Sequence, residues 1–356
     1  MKKIVHIVPT FELGGVQTGI LYSLNELREK YDYKVLVIGI IDYKWLETQT
    51  KKTQDQIIWS GTNSIILGWF KAYFILKREN PTIIISSLWK SVVLSVVYKL
   101  FNQKTKLIGF FHTTRHVHLL NNLCLKIIGK IQDRAFADSE VVKKYIEKKY
   151  SISKTDIIPF NFKFNKEEKE QKTINSNCVK LCYFGRFKKE KGIYRSLAFC
   201  QLLKLNNIEF QFDMYGEGDI ENLQMMIKKY QLENKVTIHD VLPLHQVLNI
   251  MKNYDFLLQL SDHEGMALSV VEAMSVGLVA IVTPVGEIAS YSKDGYNAIW
   301  LEPNFDENLE DLVQKVKEVI LEENRYYQMS IAAQKSFVHY KTYSEAMISA
   351  FERLEN

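Results

Sequence analysis

Residues 255–274 read DFLLQLSDHEGMALSVVEAM. Residues 255–260 are a short apolar run of strand length, and residues 268–274 set Leu268, Val270, Val271 and Met274 around a polar Glu272, which suits a helix. Between them lies a polar turn with a glycine. A buried strand that passes through a tight loop into a helix is the repeating unit of a doubly wound parallel sheet. Ligands bind such sheets at the carboxyl ends of the strands, so the chemistry is expected at residues 261–267.

The same alternation extends on both sides of this stretch. Upstream and downstream of it, residues 179–185, 209–215, 235–239, 279–283 and 298–301 read as strands. Helices fit residues 191–206, 220–231, 244–253, 268–277 and 307–322. An earlier set repeats the pattern, with strands at 4–9, 34–40, 56–60, 82–87, 106–112 and 156–160. Its helices fall at 16–31, 64–79, 91–101, 119–134 and 140–150. The polar stretch KFNKEEKEQKTINSN, residues 163–177, separates the two sets and reads as a linker. The predicted architecture is α/β: two doubly wound Rossmann-like domains, residues 1–162 and 178–340, with a cleft between them. Residues 325–356 read as helical and amphipathic, and 341–356 are expected to cross back to the first domain.

Composition narrows the class. The chain has 356 residues, 47% of them hydrophobic and 24% charged, a globular balance for about two domains. Four cysteines, Cys124, Cys178, Cys182 and Cys200, form no CxxC pair and sit in apolar surroundings. They read as buried, reduced thiols of a cytoplasmic protein. The longest apolar stretch, SVVLSVVYKLF at 91–101, is too short to span a bilayer and reads as a core helix. The amino-terminal MKKIVHIVP reads as a first strand, since His6 interrupts an apolar run too short for a secretory signal. Residues 1–160 carry 24 Lys+Arg and 13 Asp+Glu, a net of +11, whereas the remainder carries 22 and 28, a net of −6. A basic half faces anionic lipid, a phosphorylated acceptor or nucleic acid. Nucleic acid is disfavoured, because the lysines are spread over several helices without interleaved aromatics.

Three loops carry the candidate chemistry. Glu264 and Glu272 flank the start of the helix in the opening stretch. The free N–H groups around Gly265, Met266, Ala267 and Leu268 suit a pyrophosphate, and Glu272 suits a ribose diol. Gly185-Arg-Phe-Lys-Lys-Glu-Lys-Gly192 follows a strand, and Arg186 and Lys191 are the cations placed to stabilise a departing diphosphate. Lys188, Lys189 and Glu190 read as a solvated turn. Glu12-Leu-Gly-Gly15 follows the first strand, and its glycines allow close backbone approach; Gly216-Glu-Gly218 is a similar turn. Neither is a dinucleotide or Walker fingerprint. His112 ends the strand TKLIGFFH and points to the same strand-end region, while His116 and His118 read as surface residues. No DxD pair is present, so no metal is expected on the diphosphate and the cations take its place.

In this order the elements resemble the GT-B glycosyltransferases, and within them the retaining family 4. The second half carries the specific part: the GR…KG loop, the G-x-G turn, the glutamate pair with its EAM continuation, Thr-Pro-Val-Gly286 and Asp294-Gly-Tyr-Asn297. In the first half Gly14-Gly15 and His112 match. The resemblance implies that Arg186 and Lys191 bind the donor diphosphate. It gives the ribose to Glu272 and the donor sugar to Glu264 and His112. It places Gly15 near the reacting centre, and Gly185, Gly216 and Val241 among the donor-binding residues. It further implies a nucleotide-sugar donor, UDP-linked by default, no cofactor, and transfer of a hexose or N-acetylhexosamine with retention. The acceptor it implies is a saccharide, or a lipid-linked one, of lipopolysaccharide or capsule, in the cytoplasm at the inner face of the membrane. The sequence departs from the family at Met266-Ala267, where Phe-Gly is usual, at Glu287 for a second glycine, at Ser290 for a nearby acid, and in the base-binding loop His239-Asp-Val241-Leu-Pro243.

A non-catalytic nucleotide-sugar-binding protein on the same fold is the rival reading. It would lack Glu272, Arg186 or Lys191, and all three are present. A phosphorylase would need a longer chain and a pyridoxal-phosphate lysine. Residues 115–134, RHVHLLNNLCLKIIGKIQDR, mix basic residues with a Leu/Ile stripe. They read as a core helix with basic edges or as a face that rests on anionic lipid through Lys126 and Lys130.

Overall fold

The structure, a computed structural model, describes residues 1–112, 119–162, 174–302, 308–338 and 340–354. The expected surface residues His116 and His118, and most of the expected linker, lie outside the described residues. The chain divides into two compact units, Met1–Phe162 with Lys341–Asn356, and Lys163–Tyr340.

In the first unit the strands are β1 (Lys3–Val8), β2 (Asp32–Val37), β3 (Ile57–Trp59), β4 (Ile83–Ser87), β5 (Lys106–Phe111), β6 (Arg134–Ala137) and β7 (Thr155–Ile157). They pair in parallel in the order β3-β2-β1-β4-β5-β6-β7. The helices are α1 (Gly15–Lys30), α2 (Tyr43–Glu47), α3 (Lys51–Gln54), α4 (Ile65–Glu79), α5 (Trp89–Phe101), α6 (Leu119–Ile131) and α7 (Glu140–Tyr150). Ala72 and Leu76 of α4, Val92 and Leu94 of α5, Ile128 of α6 and Ile146 of α7 share one core with Ile7, Ile84 and Leu107. These four helices therefore cover one face of the sheet.

The second unit holds β8 (Val179–Phe184), β9 (Phe210–Tyr215), β10 (Val236–His239), β11 (Phe256–Gln259), β12 (Val279–Val282) and β13 (Ala298–Trp300), parallel in the order β10-β9-β8-β11-β12-β13. Its helices are α8 (Ile193–Leu205), α9 (Ile220–Lys229), α10 (Leu244–Met251), α11 (Leu268–Ser275), α12 (Ile288–Tyr291), α13 (Leu309–Leu321) and α14 (Glu323–Lys335). The strand order reverses between β8 and β11. The connections leaving those two strands diverge to opposite sides and open a crevice at their carboxyl ends. The Arg186 loop follows β8 and the Glu264 loop follows β11, so the topology alone brings them to one place.

Several expectations need correction. Residues 325–356 form two helices, α14 and α15 (Tyr343–Glu352), because Thr342 starts a new one. Its hydroxyl accepts from Glu345 N at 3.2 Å while the Glu345 carboxylate accepts from Thr342 N at 3.0 Å, a capping box. The helix expected over 119–134 stops at Ile131, and Arg134 opens β6. Asp133 ends it by accepting from Leu107 N at 2.8 Å and pairing with Lys99 at 3.0 Å. The helix expected from Lys191 starts at Ile193, after a 3-10 turn, Lys189–Lys191. Of the four cysteines, Cys182 and Cys200 are buried but Cys124 and Cys178 are only half-buried.

Helix α15 belongs to the first unit. Tyr343 N donates to Asn161 O at 2.6 Å. The fully buried Phe351 ring lies 5.3 Å from that of Tyr31 and 6.0 Å from that of Phe136. Phe351→Ala is expected to cost about 3–5 kcal/mol of stability through the cavity it leaves. Denaturant unfolding checks this, and an unchanged midpoint would show that α15 carries none of the first unit's stability.

Candidate functional site

The loop after β11 is crowded by two others. Gly192 has φ +69°, and a Cβ there would lie 1.7 Å from Leu260 O. Gly286 has φ +60°, and a Cβ there would lie 2.2 Å from Glu264 O. Only glycine combines left-handed backbone with such close approach, so the loops after β8 and β12 both press against residues 260–264.

This crowding fixes Glu264. Its side chain is 6% exposed. The carboxylate accepts from Lys191 Nζ at 2.9 Å and 2.8 Å, one contact to each oxygen. Its Oε1 also accepts from Ser261 Oγ at 2.7 Å and Gln259 Nε2 at 3.0 Å. Thr283 Oγ1, at the end of β12, donates to Ser261 O at 2.5 Å and holds that turn. An ammonium has three N–H groups, and Glu264 takes two. The third remains for another anion, and the Lys191 side chain, 23% exposed, reaches solvent.

Arg186 follows Gly185 directly. It is exposed, and its guanidinium has no hydrogen bond or ion pair among the described residues. The buried Tyr183 phenol donates to Arg186 O at 2.8 Å. Burial pushes that phenol's pKa up, Glu264 adds to the rise, and Arg186 opposes it. One buried ring thus senses both the acid and the cation. Lys188, Lys189 and Glu190 are exposed, as expected of a solvated turn.

Ala267, at φ +53°, turns the chain into α11. It occupies the left-handed region without being glycine, a strained position that the surrounding contacts hold. Tyr291 Oη donates to Met266 O at 2.8 Å, and Glu287 N donates to Gly265 O at 2.9 Å. The carbonyls of this loop are occupied by these donors. The N–H groups of Leu268 and the next residues begin a helix, where intrahelical acceptors are lacking. Glu272 lies on the second turn of α11 and is 5% exposed. Ser290 Oγ donates to the Glu287 carboxylate at 2.7 Å. The acid of this corner is therefore Glu287, with Ser290 as its hydroxyl partner.

Gly216 follows β9 and packs on the backbone of Gly185. Val241 is partly exposed in the loop after β10. That loop starts from a rigid anchor the sequence reading missed. Phe184, Tyr215 and His239 are the last residues of β8, β9 and β10 and stand opposite one another in register. Their rings stack at 4.7 Å and 4.5 Å. His239 Nε2 meets Asp213 Oδ1 at 2.9 Å, and Tyr254 Oη donates to Asp213 Oδ2 at 2.7 Å. Register was the signal that could have found this ladder, because it aligns the strand-end residues.

Gly15 and His112 belong to the first unit, each at the carboxyl end of a strand. Gly15 opens α1, and a Cβ added there would meet no atom within 4 Å, so the protein's own packing does not demand glycine. His112 Nε2 lies 3.0 Å from Ser87 Oγ, which in turn lies 2.7 Å from His6 Nε2. His6 Nδ1 lies 2.7 Å from Tyr33 Oη, and His112 Nδ1 lies 3.7 Å from Asp138 Oδ2. One assignment of protons serves every contact: Tyr33 donates to His6, His6 to Ser87, and Ser87 to His112, whose Nδ1–H then faces Asp138. Burial and the neighbouring His112 lower the His6 pKa to about 3, so His6 stays neutral.

The fold is that of the GT-B glycosyltransferases. Residues 164–336, nearly the whole second unit, match the family model of glycosyl transferases group 1. An uncharacterized glycosyltransferase of Methanocaldococcus jannaschii is 25% identical across 97% of this chain and 96% of its own. The GDP-mannose:cellobiosyl-diphosphopolyprenol alpha-mannosyltransferase of Xanthomonas oryzae is 27% identical across 52% of this chain and 51% of its own. Among solved structures, Anabaena HepE in complex with UDP and glucose matches with a TM-score of 0.79 over 100% of both chains at 15% identity, a likeness of fold. The second unit matches the group 1 domain, and the chain is a glycosyltransferase.

Two outcomes follow. Lys191→Met strands a buried carboxylate and is expected to cost about 2–3 kcal/mol, less than a fully buried pair because Lys191 is part-exposed. Adding Glu264→Gln should recover part of that loss, and a double-mutant cycle by denaturant unfolding reads the coupling; additive losses would argue against the pair. The second outcome concerns pH. His6 takes a proton near pH 6.5 when unfolded and near pH 3 when folded, so the unfolded state binds more protons between those values. Stability is full above pH 6.5 and is expected to fall by roughly 3 kcal/mol by pH 4. His6→Gln should flatten the profile in that window; an unchanged slope would remove His6 as its source.

Proposed function

We propose that this glycosyltransferase moves a hexose or N-acetylhexosamine from a nucleotide diphosphate sugar to a saccharide hydroxyl, with retention of configuration. The observation that carries the reading is the Lys191–Glu264 pair, seated where α11 begins, with Arg186 in the same turn as Lys191 and exposed, its guanidinium without a partner among the described residues. A donor diphosphate gains negative charge as the glycosidic bond breaks. Arg186, the third N–H of Lys191 and the N–H groups of Met266–Leu268 are groups that oppose such charge. They serve in place of a metal ion. Glu264, held by four hydrogen bonds from three side chains, is a fixed acceptor for the hydroxyls of the sugar, and the resemblance has His112 line the donor-sugar pocket. Glu272 takes the ribose diol, and the anchored loop from His239 through Val241 receives the base.

UDP is the proposed nucleotide. HepE, which shares the fold, was crystallised with UDP and glucose, while the Xanthomonas relative is named for GDP-mannose. The proposed acceptor is a lipid-linked saccharide of a surface polysaccharide such as lipopolysaccharide or capsule, met at the inner face of the membrane. The name of the Xanthomonas relative, with its diphosphopolyprenol acceptor, supports that class of substrate.

Glu272→Ala and Arg186→Ala are each expected to lower turnover about 10²-fold, about 3 kcal/mol of transition-state stabilisation. Steady-state transfer kinetics after a thermal-shift screen of UDP-, GDP- and CMP-sugars checks this. Folded variants with wild-type turnover would overturn the assignment.

A further inference from the structure

The outer face of α4, α5 and α6 carries a surface that the transfer reaction does not use. Inward, these helices pack Ala72, Leu76, Val92, Leu94 and Ile128 on the sheet. Outward, a helix on a water-facing layer normally shows polar residues. Here α4 shows Ile66, Phe70 and Phe74, spaced i, i+4, i+8. The next helix shows Val97, Leu100 and Phe101, and α6 shows Leu120, Leu123 and Ile127. The three exposed phenylalanines among the described residues are all on this face, with Phe101 74% and Phe70 64% exposed. Helices apolar on two sides are not explained by the core they cover.

Charge selects the occupant. Within the three helices stand Lys71, Lys77, Arg78, Lys90, Lys126 and Lys130, besides Lys99, which is paired with Asp133, against the single acid Glu79. Glu79 is already paired with Lys34 at 2.7 Å. A second copy of this face would meet it with like charge. A layer that is apolar beneath and negative above matches both features: phenyl rings and leucines enter the acyl boundary, and lysines reach the headgroups. No helix among the described residues is long and apolar enough to cross a membrane, so these helices would lie flat on it.

We propose that the α4–α5–α6 face docks on an anionic lipid surface. It extends the expectation for α6 alone to a three-helix platform whose aromatic anchors sit on α4 and α5. It rests on the reading of the acceptor as lipid-borne. The test uses the full chain, cosedimented with phosphatidylcholine vesicles with and without phosphatidylglycerol. The two variants are Phe70→Ser/Phe74→Ser/Phe101→Ser and Lys77→Glu/Lys126→Glu/Lys130→Glu. The expected result is binding to the anionic vesicles only, weakened about tenfold or more in each variant and lowered by salt. Sugar release from the donor in lipid-free buffer should stay at the wild-type rate, and so should the sedimentation mass. Equal partitioning of wild type and both variants overturns the proposal, as does no vesicle binding at all. Conversion of a dimer to a monomer by the phenylalanine variant, with vesicle binding unchanged, would assign the face to self-association and also overturn it. Lost vesicle binding with donor turnover intact leaves the enzymatic reading standing, whereas vesicle binding without any donor turnover sinks that reading alone.

Discussion

A buried carboxylate that stays negative must be surrounded by donors, and Glu264 sets the arrangement of the second unit for that reason. Its four hydrogen bonds come from three side chains: the turn after β8 gives Lys191, β11 gives Gln259, and the following turn gives Ser261. Thr283, from the end of β12, holds Ser261 in place. Each connection must come within van der Waals range of the next, and that is the structural reason for Gly192 and Gly286. The same geometry leaves one Lys191 N–H and the whole Arg186 guanidinium for a ligand. On the proposed reading, stability and donor binding draw on this one ion pair, so an anion that competes for Lys191 would also loosen the hold on Glu264.

The first unit solves a different problem. Its strand ends hold two imidazoles joined by a single hydroxyl, Ser87. Because His6 remains neutral, the proton on Ser87 has only two settings, and either one fixes the tautomer of His112. The ring is oriented by buried groups behind it, with Asp138 on its far side.

Much of this was legible in the chain. The alternation of apolar runs and amphipathic stretches marked nearly every strand, and the restart at Val179 marked the second unit. The Arg186 and Glu264 loops were legible because topology forces strand ends together wherever strand order reverses. What the sequence hid was short or local. Strand β6 has four residues, two of them alanine, and borders a helix with no break stronger than Gln132-Asp133. The capping box at Thr342 and Glu345 was readable but lay inside a run of helix-forming residues. The partners of Glu264 were unreadable because Gln259, Ser261 and Thr283 are ordinary polar residues until register aligns them. The outward phenylalanines of α4 are not separable from core residues by sequence, because only the sheet shows which side of the helix is covered.

Apart from the loop after β10, the departures from the family pattern fall at one corner of the second unit, at Met266-Ala267, Glu287 and Ser290. Ala267 takes a left-handed backbone that glycine would adopt freely, and it does so with its methyl buried. Glu287 stands where a glycine is usual, with Ser290 donating to it. Tyr291 links the two changes, since its hydroxyl holds Met266 O and its raised pKa reflects burial first and then Glu264 and Glu287. A glycine at 267 would free this turn, while the alanine together with the Tyr291 contact makes it stiff. The charge-handling groups, Arg186, Lys191 and Glu264, are untouched by these substitutions. The corner that varies lies beside the first turn of α11, whereas Arg186 and Lys191 come from the turn after β8, so the substitutions leave the cationic loop unaltered.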